Sequence, residues 1–480
     1  MTDLEFIEQV VARKGEKLTA LADEVWEYAE LPYAEFRSAK ALCAVLDGEG
    51  FAVEEGVAGM PTSFVGRWEG AAGGYTVGFL GEFDALDILS QRAGCPVKTP
   101  IREGAPGHGC GHNLLGAGAL GAAVAVKDYL AANGLPGRVI YYGCAAEEGA
   151  GAKQFMARAG LFDCCDFIYT WHPATQNGVD ASPCNAIMGA NFEFKGLSAH
   201  AGGSPHLGRS ALDAAELMSV GVNYLREHII DGARVHYAYA DAGGTAPNVV
   251  QDHSLVKYEV RSPKVSQVKA LFERVVKVAR GAALMTETTM EYEVTMAFSD
   301  YQPNDALAVI ADGCMREVGA PRWDEEDYRL AKEFLSSYNE TTLEAIRESM
   351  AETYGPERVS ELWERPLDSE IQPYIPGRKD VSGGSTDVGD VTYAVPCLNL
   401  HVATACIGNV GHTWQMTAQA KSSIGRKGLL TAVKALALTA LRTMKEPEAV
   451  ERAKALVLAR NGGRYQCPLP DDLEPPVGRY

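Results

Sequence analysis

The chain has 480 residues, enough for about three domains, and 46% of them are hydrophobic, an ordinary share for a protein with large cores. Asp and Glu (63) outnumber Lys and Arg (44), and the formal net charge of −19 argues against a nucleic-acid partner or an anionic membrane surface, though not against a small anionic substrate in a locally basic pocket. No cationic start precedes a hydrophobic run, the longest apolar stretch (114–126) is too short to span a bilayer, and the eleven Cys follow no framework spacing, so the sequence reads as cytoplasmic with free thiols.

From the start of the chain, Leu4, Ile7, Val10, Val11, Leu18, Leu21 and Val25 recur with a helical period, and a second helix is expected over 34–48. Residues 74–81 and 137–143 read as buried strands. Between them, 114–132 reads as a helix whose many Gly and Ala residues allow close approach to a sheet. A short strand is expected over 167–171. Such alternation implies an α/β layer structure.

The pattern changes near Asn185. Strands over 186–196, 235–240, 254–261 and 288–298, with helices over 209–228 and 265–283, give the order β-α-β-β-α-β, the split ferredoxin-like arrangement. The expectation is an α/β domain over 1–185 and 300–480, with a mixed sheet and helices on both faces, interrupted by an inserted domain over 186–299. Residues 323–373 are charged and poor in strand signals and read as a helical insertion, a cover over the rest. The tail after Gly462 reads as an extended arm.

The run Gly107-His108-Gly109-Cys110-Gly111-His112-Asn113 carries a thiol and an imidazole two residues apart, with a small residue between them. Alone that is weak. Its company is Glu147-Glu148 after one expected strand, His172 after another, and a distant His412. A thiolate, imidazoles and carboxylates together are transition-metal ligands. Two adjacent carboxylates at a buried strand end are costly without a cation. Neighbouring glutamates point apart, so Glu148 is assigned to the metal and Glu147 to acid–base work. Asp84, just past a strand, would orient a ligand from behind. Gly116-Ala117-Gly118-Ala119-Leu120-Gly121 matches a dinucleotide fingerprint literally, but it does not directly follow a strand, and the glycines are read as helix–sheet packing. The inserted region has its own polar cluster. His200 is read as a donor to a developing oxyanion, and Asn248 with Arg261 as a grip on a substrate carboxylate.

The ordered series of these motifs resembles the dinuclear-metal amidohydrolases of the aminoacylase and carboxypeptidase family. It runs from Glu30-Leu31-Pro32 through Gly81-Glu82-Phe83-Asp84-Ala85-Leu86, the His108–Asn113 loop, Glu147-Glu148-Gly149, Trp171-His172-Pro173 and Ser204–Asp213, to Ser385–Asp390 and Gly411-His412-Thr413-Trp414. The resemblance implies a catalytic domain split by a lid that also dimerises. It implies two divalent ions, zinc or manganese, on Cys110, His112, Glu148, His172 and His412, with Glu147 as base. It also implies that His200 reaches the active site of a partner subunit, with Asn248 and Arg261 on the substrate side. His206 and Arg209 match the lid motif and are placed with the substrate-binding residues. Asn113 and Thr386 stand where many relatives carry Asp and Glu. The expected activity is hydrolysis of an N-acyl amino acid, foremost p-aminobenzoyl-glutamate or a similar aroyl-amino acid. The alternatives are another N-acyl amino acid, an auxin conjugate or a dipeptide, or a chain with little activity without its partner. A homodimer through the lid and a hetero-oligomer with a homologous second chain are both open.

Overall fold

The computed structural model describes residues 1–479, whose strands form two sheets. In chain order the strands are β1 (Ala52–Glu55), β2 (Phe64–Glu69), β3 (Ala71–Glu82), β4 (Pro136–Cys144), β5 (Phe167–Ala174), β6 (Gly178–Val179), β7 (Ala186–Lys195), β8 (Arg234–Asp241), β9 (His253–Ser262), β10 (Thr289–Phe298) and β11 (Cys397–Ala403). The helices up to the middle of the chain are α1 (Asp3–Tyr28), α2 (Phe36–Gly48), α3 (His112–Asn133), α4 (Lys153–Arg158), α5 (Ala211–Leu225), α6 (Val265–Thr286) and α7 (Asp305–Val318). The later ones are α8 (Glu325–Leu335), α9 (Glu340–Tyr354), α10 (Val359–Glu364), α11 (Val388–Ala394), α12 (Trp414–Ala420), α13 (Ser423–Thr443) and α14 (Pro447–Asn461).

The larger sheet has the order β1-β2-β4-β3-β5-β11-β6, with β4, β3, β5 and β11 mutually parallel and antiparallel strands at both edges. From Thr76 to Glu82 every residue of β3 is buried, as expected of a parallel strand covered on both faces. Helix α3 lies on β3, β4 and β5 and packs against α1 and α13. It is long and apolar enough to cross a membrane, but it is enclosed by protein, which is what an all-round apolar core helix requires. Its glycines permit the contact. A Cβ on Gly116 would lie 2.7 Å from the Glu82 carbonyl oxygen, and one on Gly118 would lie 2.7 Å from the Trp171 indole. Packing thus accounts for the fingerprint-like run.

The smaller sheet is fully antiparallel, in the order β10-β7-β9-β8, with α5 and α6 packed together on one face. Along β9, Ser254, Val256, Tyr258, Val260 and Ser262 are buried, so the alternate residues Glu259 and Arg261 belong to the opposite face. The chain enters this unit along β7 and leaves along β10, which are paired neighbours with Ile187 opposite Phe298.

Two of the boundaries that differ from the sequence expectation bear on the candidate site. Strand β5 continues to Ala174 because Pro173 and Ala174 pair with Val402 and Ala403 of β11, so His172 lies within a strand and not after one. Helix α3, expected from 114, begins at His112, so Cys110 and His112 straddle a loop–helix junction.

Candidate metal centre and active site

Open α/β sheets place their sites beyond the carboxyl ends of parallel strands, and the candidate residues gather there. Glu82 ends β3, Asp84 follows it, Glu147 and Glu148 follow β4, and His172 and His401 sit opposite each other on β5 and β11. The loop before α3 is held by reciprocal pairing of Leu86 with Gly107. Gly111 has φ +83, and a Cβ there would meet Met416 at 2.8 Å and Pro173 at 3.0 Å. This left-handed turn, costly for other residues, swings Cys110 and His112 toward one point.

Around that point the distances are short. Cys110 Sγ lies 3.4 Å from His172 Nε2. His112 Nδ1 donates to Asp84 Oδ1 at 2.8 Å, while Asp84 Oδ2 accepts from the Glu148 amide at 2.8 Å. Asp84 therefore fixes the His112 tautomer and the start of the Glu148 backbone together, as a carboxylate behind a metal-binding imidazole does. His412 Nε2 is 3.3 Å from Glu148 Oε1. Two triads result, Cys110–His112–His172 and Cys110–Glu148–His412, each with its ligand atoms within 4.8 Å of one another, and they share Cys110. A third triad is Glu82–His112–Glu147.

The donor set fits divalent ions. Sulfur, imidazole nitrogen and carboxylate oxygen are the ligands of zinc and its neighbours. His112 Nε2 and Glu148 Oε1 are buried and meet Glu82 Oε2 and His412 Nε2 at 3.3 Å without a hydrogen bond, a state that a cation would relieve. Burial, helped by the His112 charge, lowers His172 to about 4 and keeps its imidazole neutral, the ligating form. Burial alone would raise Glu148, but the neighbouring His412 and His112 imidazoles outweigh it and bring its carboxyl down to about 2. Glu147 goes the other way. Burial first, then the Glu82 and Glu148 charges, push it well above the carboxylate range. Two adjacent carboxyls pushed apart in this way take different roles, one an anion and one a proton carrier.

Sequence reasoning assigned no role to four groups here. Lys153 is fully buried, with Nζ 2.6 Å from both Glu82 Oε1 and Asp387 Oδ1. Asp387 Oδ2 accepts from the Ala152 and Lys153 amides at 2.9 and 3.0 Å. This ammonium neutralises the acidic floor from behind. Glu82, taken at first only as a strand end, lies with Oε2 3.3 Å from His112 Nε2. His401 lines the same cavity, with Nε2 3.7 Å from Asp180. Its one visible signal was a histidine near the end of the apolar run 397–402.

The cavity above this floor measures about 580 Å³. Trp171, Phe298 and Tyr301 contribute apolar wall, and the smaller sheet contributes Glu259 and Arg261. Arg261 donates to Ser385 Oγ at 3.1 Å and pairs with Glu259 at 3.2 Å. The other residues expected from the smaller unit lie elsewhere. His200, His206, Arg209 and Asn248 do not line the cavity of their own chain. His200 is exposed, and its Nδ1 accepts from the Gly202 and Gly203 amides at 3.1 and 3.0 Å, which leaves the neutral ring's proton on Nε2 as a free donor. Arg209 pairs with Glu287 at 2.8 Å and donates to the His206 and Gly208 carbonyls. Asn248 is exposed, and its carbonyl accepts from Ala201 at 2.9 Å. The departure at Asn113 has a structural reason. Its buried amide donates to the Ala22 and Ala420 carbonyls, both at 3.2 Å, which a carboxylate could not do.

Peptidase family M20/M25/M40 matches residues 78–398. The chain is 39% identical over 474 residues to the B component of the p-aminobenzoyl-glutamate hydrolase of Escherichia coli (strain K12), with 98% of each chain covered. It is 28% identical to the Xaa-Arg dipeptidase of Mus musculus, over 94% of this chain and 91% of that one. Among solved structures it resembles a dinuclear metal-binding peptidase of Bacillus subtilis at a TM-score of 0.58 and 16% identity, over 90% of this chain and 99% of that one, a likeness of fold. The gathered ligands, the buried carboxyl pair and these matches agree: the chain belongs to peptidase family M20/M25/M40 and is a metal-dependent amidohydrolase.

Proposed function

We propose that the cavity hydrolyses the amide bond of an N-acyl amino acid, with p-aminobenzoyl-glutamate or a similar aroyl-amino acid as substrate, using two divalent ions, zinc or manganese. The observation that carries this reading is the sharing of Cys110 between two ligand triads, beside a carboxyl, Glu147, that favours a proton. The named substrate of the relative at 39% identity supports the aroyl-glutamate class. So does a cavity of about 580 Å³ with apolar wall and one arginine. When bound, the ions supply Lewis acidity to the scissile carbonyl and to the attacking water.

Cys110, His112 and His172 hold one ion, and Cys110, Glu148 and His412 hold the other. Glu147 takes the proton from water, holds it, and delivers it to the leaving nitrogen. Arg261, steadied by Ser385, receives the α-carboxylate. Residues 186–299 act as lid and dimerisation unit, and through it His200 and Asn248 serve the cavity of a second subunit, with His206 and Arg209 shaping the loop that carries them. The enzyme works in the cytoplasm.

The test is release of glutamate from p-aminobenzoyl-glutamate by the purified chain with manganese or zinc. Chelator should abolish the release. Glu147→Gln should keep its ions and lose turnover by about 10²–10⁴-fold, and retained turnover would remove the assigned base. The Escherichia coli relative is by its name one component of a hydrolase, and the other component is a homologue of this chain at 26% identity. That favours a second reading, a chain that needs such a homologous companion. Ion binding without turnover, together with copurification of a second chain that restores it, would select that reading.

A further inference from the structure

His412 reaches the site from the loop of residues 404–413, between β11 and α12. Its side chain is exposed and its backbone sits at φ +56, a left-handed conformation that a non-glycine residue keeps only when its surroundings impose it. One restraint comes from the opposite ligand loop, where the His412 amide donates to the Gly109 carbonyl at 2.9 Å. The others come from the insertion at 323–373.

Tyr338 OH accepts from the Val410 amide at 2.9 Å and donates to Asn409 Oδ1 at 3.2 Å, and Gln419 donates to that same oxygen at 2.9 Å. Ser337 Oγ accepts from Gln415 at 3.2 Å, and the Pro366 carbonyl accepts from the Ile407 amide at 2.8 Å. Gly408 is in van der Waals contact with the insertion, so that a Cβ there would fall 2.2 Å from Ile346 Cγ2. Beneath these contacts Phe334, Leu335, Ile346 and Met350 share one apolar cluster with Cys406 and Ile407 at the root of the loop. Among the described residues, none from 323–373 lines the catalytic cavity.

We infer that the insertion serves as a rigid mount for the His412 loop, with Tyr338 as the positioning residue that sets how well His412 completes the Cys110–Glu148–His412 triad. This rests on the reading of the two triads as ion sites. Cys110 is common to both triads, but His112 and His172 of the first are held by α3, Asp84 and β5, whose bonds do not involve Tyr338. Losing Tyr338 OH therefore weakens one ion site and spares the other.

The test is calorimetric titration of the chelator-treated full chain with manganese, and separately with zinc, for wild type, Tyr338→Phe, His412→Ala and the double variant. His412→Ala should remove one of two binding events. Tyr338→Phe should weaken that same event by about 10-fold, the scale of losing a group that orients a ligand, and leave the other unchanged. Its turnover should fall and recover with excess ion. In the double variant the Tyr338 change should have no further effect. Should Tyr338→Phe fail to fold, Ser337→Ala removes the Gln415 contact alone and should weaken the same event to a smaller extent. Equal weakening of both events, or of neither, overturns the positioning role. Retention of both events in His412→Ala overturns instead the reading of His412 as a ligand.

Discussion

The carboxyl edge of the larger sheet and the outward loops of the smaller one both carry clustered polar side chains, and they are held in opposite ways. At the sheet edge Glu82, Asp84, His112, Lys153 and Asp387 are buried and bonded to one another within a single chain. On the smaller unit His200, His206 and Asn248 are exposed and meet mostly their own backbone. The first cluster has counter-charge built in, with Lys153 against Glu82 and Asp387. The second has a donor on display, the Nε2 side of His200. Burial thus marks what one chain completes by itself, and the exposed, oriented His200 is the group that the proposed second subunit would use.

The largest expected effect strikes the buried cluster. Lys153→Met leaves Glu82 and Asp387 without their shared cation and should cost about 3–5 kcal/mol in denaturant unfolding, the penalty for breaking a buried ion pair. A cost below about 1 kcal/mol would mean that the sheet edge is not balanced from within. His200→Ala tests the exposed side. Turnover should fall by about 10²-fold, the scale of losing one oxyanion donor, with unfolding and ion content unchanged. Mixing His200→Ala with Glu147→Gln chains should then recover activity, since one cavity of a mixed pair has both groups. Absence of recovery after proven subunit exchange would return His200 to its own chain. Arg261→Lys gives up the guanidinium fork and should raise KM about tenfold at constant kcat; a fall in kcat alone would assign Arg261 elsewhere.

A pH effect concerns the joint between the two units. Asp390 is buried and accepts from Ser299 and Tyr465. Burial outweighs those bonds and raises its carboxyl from 3.8 to about 7. Between those values the folded chain keeps a proton that the unfolded chain has released, so stability falls as pH rises from about 4 to about 7. Asp390→Asn should flatten that part of the melting-temperature profile. An unchanged slope would place the titration on another group.

Residue chemistry made the candidate cluster readable, because Cys110, His112, Glu148, His172 and His412 stand in unusual company in the sequence and the fold brings them together. Periodicity made the smaller unit readable, because its strands alternate and its helices are amphipathic. What stayed hidden depends on tertiary approach. Lys153 opens a six-residue helix and has the look of any surface lysine until β3 and the 384–390 segment close around it. Tyr338 lies 71 residues from Asn409 in sequence, and no local pattern joins them. The extension of β5 past His172 is set by its partner β11, which lies more than two hundred residues later.

The pairing of β7 with β10 has an evolutionary reading. The points where the chain leaves and rejoins the larger unit are one strand spacing apart, about 5 Å, and both are tied to the same short stretch, through the Asn185 amide on the Gly384 carbonyl and Ser299 on Asp390. A segment with its ends side by side is a cassette. It can be gained in one insertion event or exchanged for another without opening the host sheet, so the smaller unit is free to diverge while the larger one stays as it is.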